Sequence, residues 1–400
     1  MSNWIHHHRN NKGWRSASAW RLFLVALRRW LKALAWDLTD FVRFGLFKEH
    51  LKPKTAAPAE AAASPVPAVA RPPASSAKPV IFASYAVDQK WTGSHRYCGG
   101  EKVLNALVNL LRLHGYEAYL VTTDGKQAGW LAADAPVLSV EEFKAMKAKT
   151  PDHRCVTSWI DAHAFLDGCD TFYYWDMELA TSADYQFPRL WDYVASGRVN
   201  TIAVLNRAAQ AWFQTVLDKT CAVIPCTIDS RYWQPADEKR VPFRVGYMDE
   251  GPHTAALIET VRARTLADGL TLEFHLIAGD EPKVIAQMQS CELFLVTNIG
   301  KSPIWGEGGP LGPYESAACG TVSVSFDLLG PWESIQQDYN GIVVPRGRTD
   351  LFAEAVSSIY QQPGRLKAMS ARALDIFRSA HSMEARWPKL RQFLDLPETE

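Results

Sequence analysis

From Pro79 onward the chain alternates short apolar runs with helix-patterned stretches, and it does so in two successive series, which leaves few folds open to it. Residues 80–84 read as a buried strand, 103–113 carry the apolar spacing of a helix that Gly115 ends, and 116–122 read as a second strand. Further strands are expected at 154–159, 171–175 and 201–205. The rhythm restarts at 243–247 and continues through 272–278, 293–297, 321–325 and 341–344. Strands that alternate with helices pair in parallel and need helices on both sheet faces. The expectation is an α/β chain of two Rossmann-like, doubly wound domains, spanning 79–225 and 226–400, with a hinge near residues 223–242 and a central cleft between them.

Composition agrees with two cores: 400 residues, 47% hydrophobic, suffice for two ordinary domains. The formal charge of zero hides a separation. Residues 1–54 hold eleven Lys or Arg against three acids, a net +8, so the remainder carries −8. A mildly acidic body is a poor partner for nucleic acid. Seven cysteines include no C-x-x-C pair and lie mostly in apolar stretches, which fits buried thiols in a reducing, cytosolic compartment.

Residues 18–48 place Trp20, Leu24, Leu27, Leu31, Leu34, Leu38 and Phe41 on one helical face and Arg21, Arg28 and Lys32 on another. Charges interrupt the apolar run, so this segment cannot span a bilayer, which takes about 20 consecutive apolar residues. With Trp4, Trp14, Trp20, Trp30 and Trp36 beside the basic face, it suits an anionic membrane surface, in the plane of the headgroups. The alternative is a helix that docks on protein. Residues 53–78 are rich in Ala, Pro and Ser and are expected to form a disordered tether behind this basic arm (1–52). The placement implied is peripheral, on the inner face of the cytoplasmic membrane.

The chemistry concentrates in Glu307-Gly308-Gly309-Pro310-Leu311-Gly312-Pro313-Tyr314-Glu315. Backbone amides in so bare a loop can approach an anion closely. Carboxylates at both ends accept hydrogen bonds from paired hydroxyls, which sugars and riboses offer. A diphosphate between two sugars, as in a nucleotide-sugar, fits such a segment. No G-x-x-x-x-G-K-[ST], H-E-x-x-H or G-x-S-x-G occurs, and no G-x-G-x-x-G follows the first strand, so P-loop, zinc-protease, serine-hydrolase and ordinary NAD chemistry drop out.

In order along the chain, Val223-Ile-Pro-Cys-Thr-Ile-Asp229 with Tyr232-Trp233, Leu276-Ile-Ala-Gly-Asp280, Cys291-Glu-Leu-Phe-Leu-Val296, the glycine-rich segment and Asn340-Gly-Ile-Val-Val-Pro345 resemble the donor domain of retaining GT-B glycosyltransferases of family 4 (glycosyl transferases group 1). The stretch from Phe377 to Phe393 is similar to that family's closing helix, which crosses back to the first domain. Cys98-Gly99-Gly100-Glu101 resembles its Gly-Gly-x-Glu segment. Val156-Thr-Ser-Trp159 and Phe172-Tyr-Tyr-Trp-Asp-Met-Glu178 are similar to the rhamnosyltransferase-like branch.

The resemblance implies that Glu307 contacts the transferred sugar, that Gly308, Gly309 and Leu311 give backbone donors to sugar and phosphate, and that Glu315 clasps the ribose. Gly99, Gly100, Glu101 and Asp176 fall on the acceptor or phosphate side, and His163 would donate to the sugar. The nucleotide-sugar is then a co-substrate, with neither metal nor cofactor required, and the acceptor is a glycan or lipid-linked sugar of the cell surface. One departure stands out: where the family carries an Arg and a Lys to neutralise the diphosphate, this chain reads Gly246-Tyr-Met-Asp-Glu-Gly-Pro252. Lys301, or Arg346 and Arg348, are the cations left to substitute. A nucleotide-sugar epimerase and a non-catalytic glycan-binding protein on the same scaffold remain as alternatives.

Overall fold

The computed structural model describes residues 78–84, 99–132, 134–158, 165–166, 168–177, 186–299 and 310–398, all inside one compact unit, Ala74–Glu400. The basic arm, the tether up to residue 77, His163, Lys301 and Glu307 to Gly309 lie outside the described residues. The first series of strands forms a seven-stranded sheet: β1 (Val80–Ser84), β2 (Ala118–Thr122), β3 (Val137–Ser139), β4 (His153–Thr157), β5 (Phe172–Asp176), β6 (Val199–Val204) and β7 (Cys221–Val223), in the order β3-β2-β1-β4-β5-β6-β7. Every pairing is parallel. Ile81, Phe82 and Ala83 are wholly buried, as strands covered on both faces must be.

The second series forms a five-stranded parallel sheet: β8 (Arg244–Tyr247), β9 (Glu273–Leu276), β10 (Leu293–Val296), β11 (Val322–Phe326) and β12 (Gly341–Val344), in the order β12-β11-β10-β8-β9. Each sheet reverses direction once, at β1/β4 and at β8/β10, and such reversals open the crevice in which doubly wound folds bind ligands. The short β3 and β7 escape the sequence pattern because three residues are too few to show a period.

Helix α1 (Gly99–Leu113) follows β1 and begins at the paired glycines themselves. Its apolar face, Val103, Leu104, Leu107, Val108 and Leu111, is buried against the first sheet. Gly115, at φ +74°, takes the left-handed turn that ends it, and the Tyr116 amide returns to the Leu111 carbonyl at 3.0 Å. Between β9 and β12 run α6 (Glu281–Gln289) and the short α7 (Gly312–Ala318); α2 (Val140–Lys147), α3 (Gln186–Ala195), α4 (Arg207–Leu217), α5 (Pro252–Ala267), α8 (Thr349–Gln361) and α9 (Arg365–Ile376) complete the layers up to the closing helix. The described cysteines are all buried, and no disulfide joins any two of them.

Two segments join the sheets. The closing helix α10 (Met383–Phe393) lies against the first domain, where Trp387 stacks flat on His114 at 3.8 Å between ring centres and Phe393 meets Tyr173 and Trp175 edge-on. The hinge is pinned from both sides. Asp229 accepts from Asn109 of α1 at 3.1 Å and from the Arg231 guanidinium at 2.8 Å, and the Trp233 indole donates to Glu281 of α6 at 2.9 Å.

Gly312 lies against the Phe294 ring of β10, where a Cβ would stand 2.6 Å from the nearest ring carbon. Gly312→Ala is therefore expected to cost about 1–3 kcal/mol by overpacking, read as a lowered urea midpoint with an unchanged slope; an unchanged midpoint would show that the ring simply moves aside.

Candidate functional site at the domain seam

The starts of α1 and α7 meet. A Cβ on Gly99 would lie 3.0 Å from Leu311 Cδ1, so the glycine at the head of the first domain's leading helix is what lets the segment entering α7 come this close. Each helix follows a strand at its sheet's reversal point, β1 in one and β10 in the other, so the two crevices face one another. Of the residues expected to form the site, Gly99, Gly100, Glu101, Leu311 and Glu315 are thereby brought to one seam. Glu307, Gly308, Gly309 and Lys301 immediately precede this seam in sequence and lie outside the described residues, as does His163.

At the seam's centre Lys102 of α1 reaches across to the second domain. Its ammonium lies 2.5 Å from Glu315 Oε1 and 3.0 Å from Glu281 Oε1, with side-chain exposures of 11%, 4% and 6% for the three residues. The Trp233 ring covers it at 4.6 Å and Trp130 lies at 5.9 Å, both within reach of a cation–π attraction. Burial pulls against the charged ammonium, but the attraction of Glu315 and then Glu281, with their hydrogen bonds, prevails and raises its pKa.

The two acids are held differently. Glu281 Oε1 also accepts the Trp233 indole N–H, its Oε2 accepts the Ala132 amide at 2.8 Å, and its own amide donates to the Trp130 carbonyl at 2.8 Å. It therefore fastens the 130–132 segment, the hinge and α1 to the head of α6. The Glu315 carboxylate, 3% exposed as a residue, takes its hydrogen bond from Lys102. Beside them Glu101, 5% exposed, has its carboxyl pushed up to about 7 by burial.

Asp176 lies elsewhere along the same crevice, at the carboxyl end of β5, buried and accepting from the Tyr174 hydroxyl at 3.4 Å. Next to it, at the end of β4, the buried Ser158 hydroxyl has no partner among the described residues. Further along, Asn206, Arg207, Ala208, Leu329, Trp332 and Glu333 line an open cavity of about 460 Å³, at which the Arg207 amide donates to Glu333 at 3.1 Å. Of the two acids that stand where the resemblance places cations, Asp249 accepts its own turn's Gly251 amide at 3.1 Å, and the Glu250 backbone amide donates to the Thr254 hydroxyl at 3.1 Å. Arg348 is engaged by Asp350 at 2.8 Å, beyond the edge strand β12.

Sequence reasoning missed Lys102, Glu281 and Trp233. The signal for Lys102 was present, since in Gly99-Gly100-Glu101-Lys102 the fourth position of the Gly-Gly-x-Glu pattern falls on the lysine. Nothing in the spacing connects it with residues 179 and 213 positions away.

Two outcomes test the seam. Glu281→Ala leaves Lys102, the Trp233 N–H and the Ala132 amide without their shared acceptor, and should cost about 3–5 kcal/mol of stability by chemical denaturation; a loss below 1 kcal/mol would mean that the seam does not hold the domains. Glu101 has a folded pKa near 7 against an ordinary value of 4.5. Its contribution to stability is whole below the ordinary value and is lost as pH rises through about 7. Glu101→Gln should remove that decline and gain roughly 1–3 kcal/mol relative to the parent at pH 8, with little difference at pH 4.5.

Comparison with known proteins follows this geometry. Residues 250–375, which contain α7, match the family described as Glycosyl transferases group 1. No curated protein matches the sequence. Among solved structures, sucrose-phosphate synthase from Thermosynechococcus elongatus superposes with a TM-score of 0.60 at 14% identity, over 79% of this chain and 98% of that one. HepE of Anabaena in complex with UDP-glucose gives 0.59 at 12% identity, over 80% and 100%. The pneumococcal O-GlcNAc transferase GtfA in complex with UDP and GlcNAc gives 0.56 at 11%, over 79% and 99%. At such identities the likeness is one of fold: two parallel sheets facing a crevice. Residues 250–375 thus match a glycosyl transferases group 1 domain, and the two parallel sheets have the fold of GT-B structures.

Proposed function

We propose that the protein transfers a sugar from a nucleotide-sugar to a glycan or lipid-linked acceptor in cell-surface polysaccharide synthesis, with retention of anomeric configuration. The second domain, from residue 226, holds the donor, and the first, residues 79–225, holds the acceptor. The observation that carries this reading is the meeting of Gly99 and Leu311, where the helix starts of two sheet-reversal points converge on one crevice. The solved neighbours bound to UDP-glucose, or to UDP and GlcNAc, support a nucleotide-sugar as donor. Rhamnose is the transferred sugar suggested by the first-domain stretch ending at Glu178.

In this reading the amides of Gly308, Gly309 and Leu311 receive the sugar and phosphate oxygens, aided by Lys301. Glu307 orients the sugar hydroxyls, and Glu315 the ribose. The sugar leaves and is attacked on one face, and positive charge building on its ring is stabilised by the neighbouring acids. Gly100, Glu101, Asp176 and His163 face the acceptor. Water is excluded when the two domains close, so that transfer outruns hydrolysis. The reading requires no metal ion, because main-chain amides and side-chain cations stabilise the leaving group. Residues 18–48 bring the body to the anionic inner face of the cytoplasmic membrane, where lipid-linked acceptors are found.

Calorimetry against UDP-, GDP- and dTDP-sugars should find one donor class, and Glu315→Ala should weaken its binding by at least roughly tenfold, as loss of a buried charged acceptor does. Binding of none of the three would remove the transferase reading and leave a glycan-binding protein. Turnover of the free nucleotide-sugar without an acceptor, by epimerisation, would replace it. Removal of residues 1–52 should abolish co-sedimentation with phosphatidylserine vesicles; a truncated protein that still sediments would show that the arm is not the anchor.

A further inference from the structure

Resting on that reading, we propose that Lys102, reaching over from the first domain, is a cation that neutralises the departing diphosphate. The second domain offers no Lys or Arg between Gly246 and Pro252, and Arg348 is engaged by Asp350. Lys102 is instead delivered to the seam by α1. Gly99, one turn earlier on that helix, touches Leu311 at the segment whose amides would receive the phosphate oxygens.

An ammonium has three N–H donors, and Lys102 directs its hydrogen bonds to two carboxylates, Glu315 and Glu281. Among the described residues the third donor has no acceptor and is left for a phosphate oxygen. The two acids are not equivalent in this exchange. Glu281 is fixed by the Trp233 indole and the Ala132 amide and stays as the anchor of the ammonium. Glu315 accepts from Lys102 and, among the described residues, carries no such second anchor, so ribose hydroxyls can replace the ammonium there, and the released N–H turns to the diphosphate. The cluster holds one cation among two buried carboxylates. In the exchange the ammonium trades one carboxylate for the diphosphate, the ribose hydroxyls take up the hydrogen bonds that Glu315 accepts, and Trp233 and Trp130 stay within cation–π reach of the ammonium.

In the transfer itself the bond from the sugar's anomeric carbon to the diphosphate breaks, and its electron pair stays on the phosphate oxygen. The acceptor oxygen forms the new bond to that carbon, and its proton passes to the departing phosphate. Lys102 keeps its own protons throughout and stabilises the negative charge that the phosphate oxygen gains. The ammonium is therefore a positioned charge and not a proton donor, which is why arginine should substitute for it.

The test titrates the full-length protein with UDP, GDP and dTDP, and with uridine, guanosine and thymidine, by calorimetry. Lys102→Met should weaken the diphosphate that the parent binds by roughly 10- to 100-fold and leave the matching nucleoside within about threefold. Lys102→Arg should recover most of the loss. Because Lys102→Met strands two buried carboxylates, the double variant Lys102→Met/Glu281→Gln, which restores the cluster's net charge, is measured alongside and should show the same selective loss. Equal weakening of nucleoside and diphosphate would make Lys102 a structural clamp and overturn the proposal, as would unchanged diphosphate affinity in the double variant. A parent protein that binds none of the three diphosphates would overturn the transferase reading itself, an outcome separate from either.

Discussion

A buried ammonium between two buried carboxylates holds this structure's two halves in register. Lys102 comes from the first domain, Glu281 and Glu315 from two different helices of the second, and each would be costly to bury alone. Bound together they satisfy one another only when α1, α6 and α7 converge. Such a contact contributes more to the specificity of an arrangement than to its total stability, because desolvation offsets much of the attraction.

The hinge extends this logic. Asp229 reaches back to α1 through Asn109, and Trp233 reaches forward to α6 through Glu281, so the segment that leaves β7 at Val223 is tied to both domains by its side chains. The closing helix α10 adds an apolar strap through Trp387 and Phe393. Relative motion of the domains must break polar contacts at the seam while it slides the strap. This is the division expected of a cleft enzyme that opens to exchange ligands and closes to exclude water.

Much of the fold was legible because its signals are local. The apolar runs at 80–84, 293–297 and 341–344 became β1, β10 and β12 with boundaries shifted by at most one residue, since a strand buried on both faces announces itself by composition alone. The helix expected over 103–113 extends back to Gly99, a difference at the boundary that propensity does not resolve. Within the site, Glu315 and Leu311 were visible as part of a glycine-rich run, and Glu101 as the acid after paired glycines. Lys102 looked like an ordinary charge on a helix, and Glu281 like an ordinary acid at a helix start.

The sequence by itself determined two doubly wound domains, the segment that connects them and the glycine-rich turn, because strand period, helix period and backbone freedom are properties of neighbouring residues. Only the tertiary structure decided which charges meet. Pairing residues 102, 281 and 315 depends on the strand order of both sheets and on the path of the hinge, which together set a distance of a few ångströms between groups far apart in the chain. Electrostatic attraction reports nothing along the chain until folding has brought its partners together and removed the water between them.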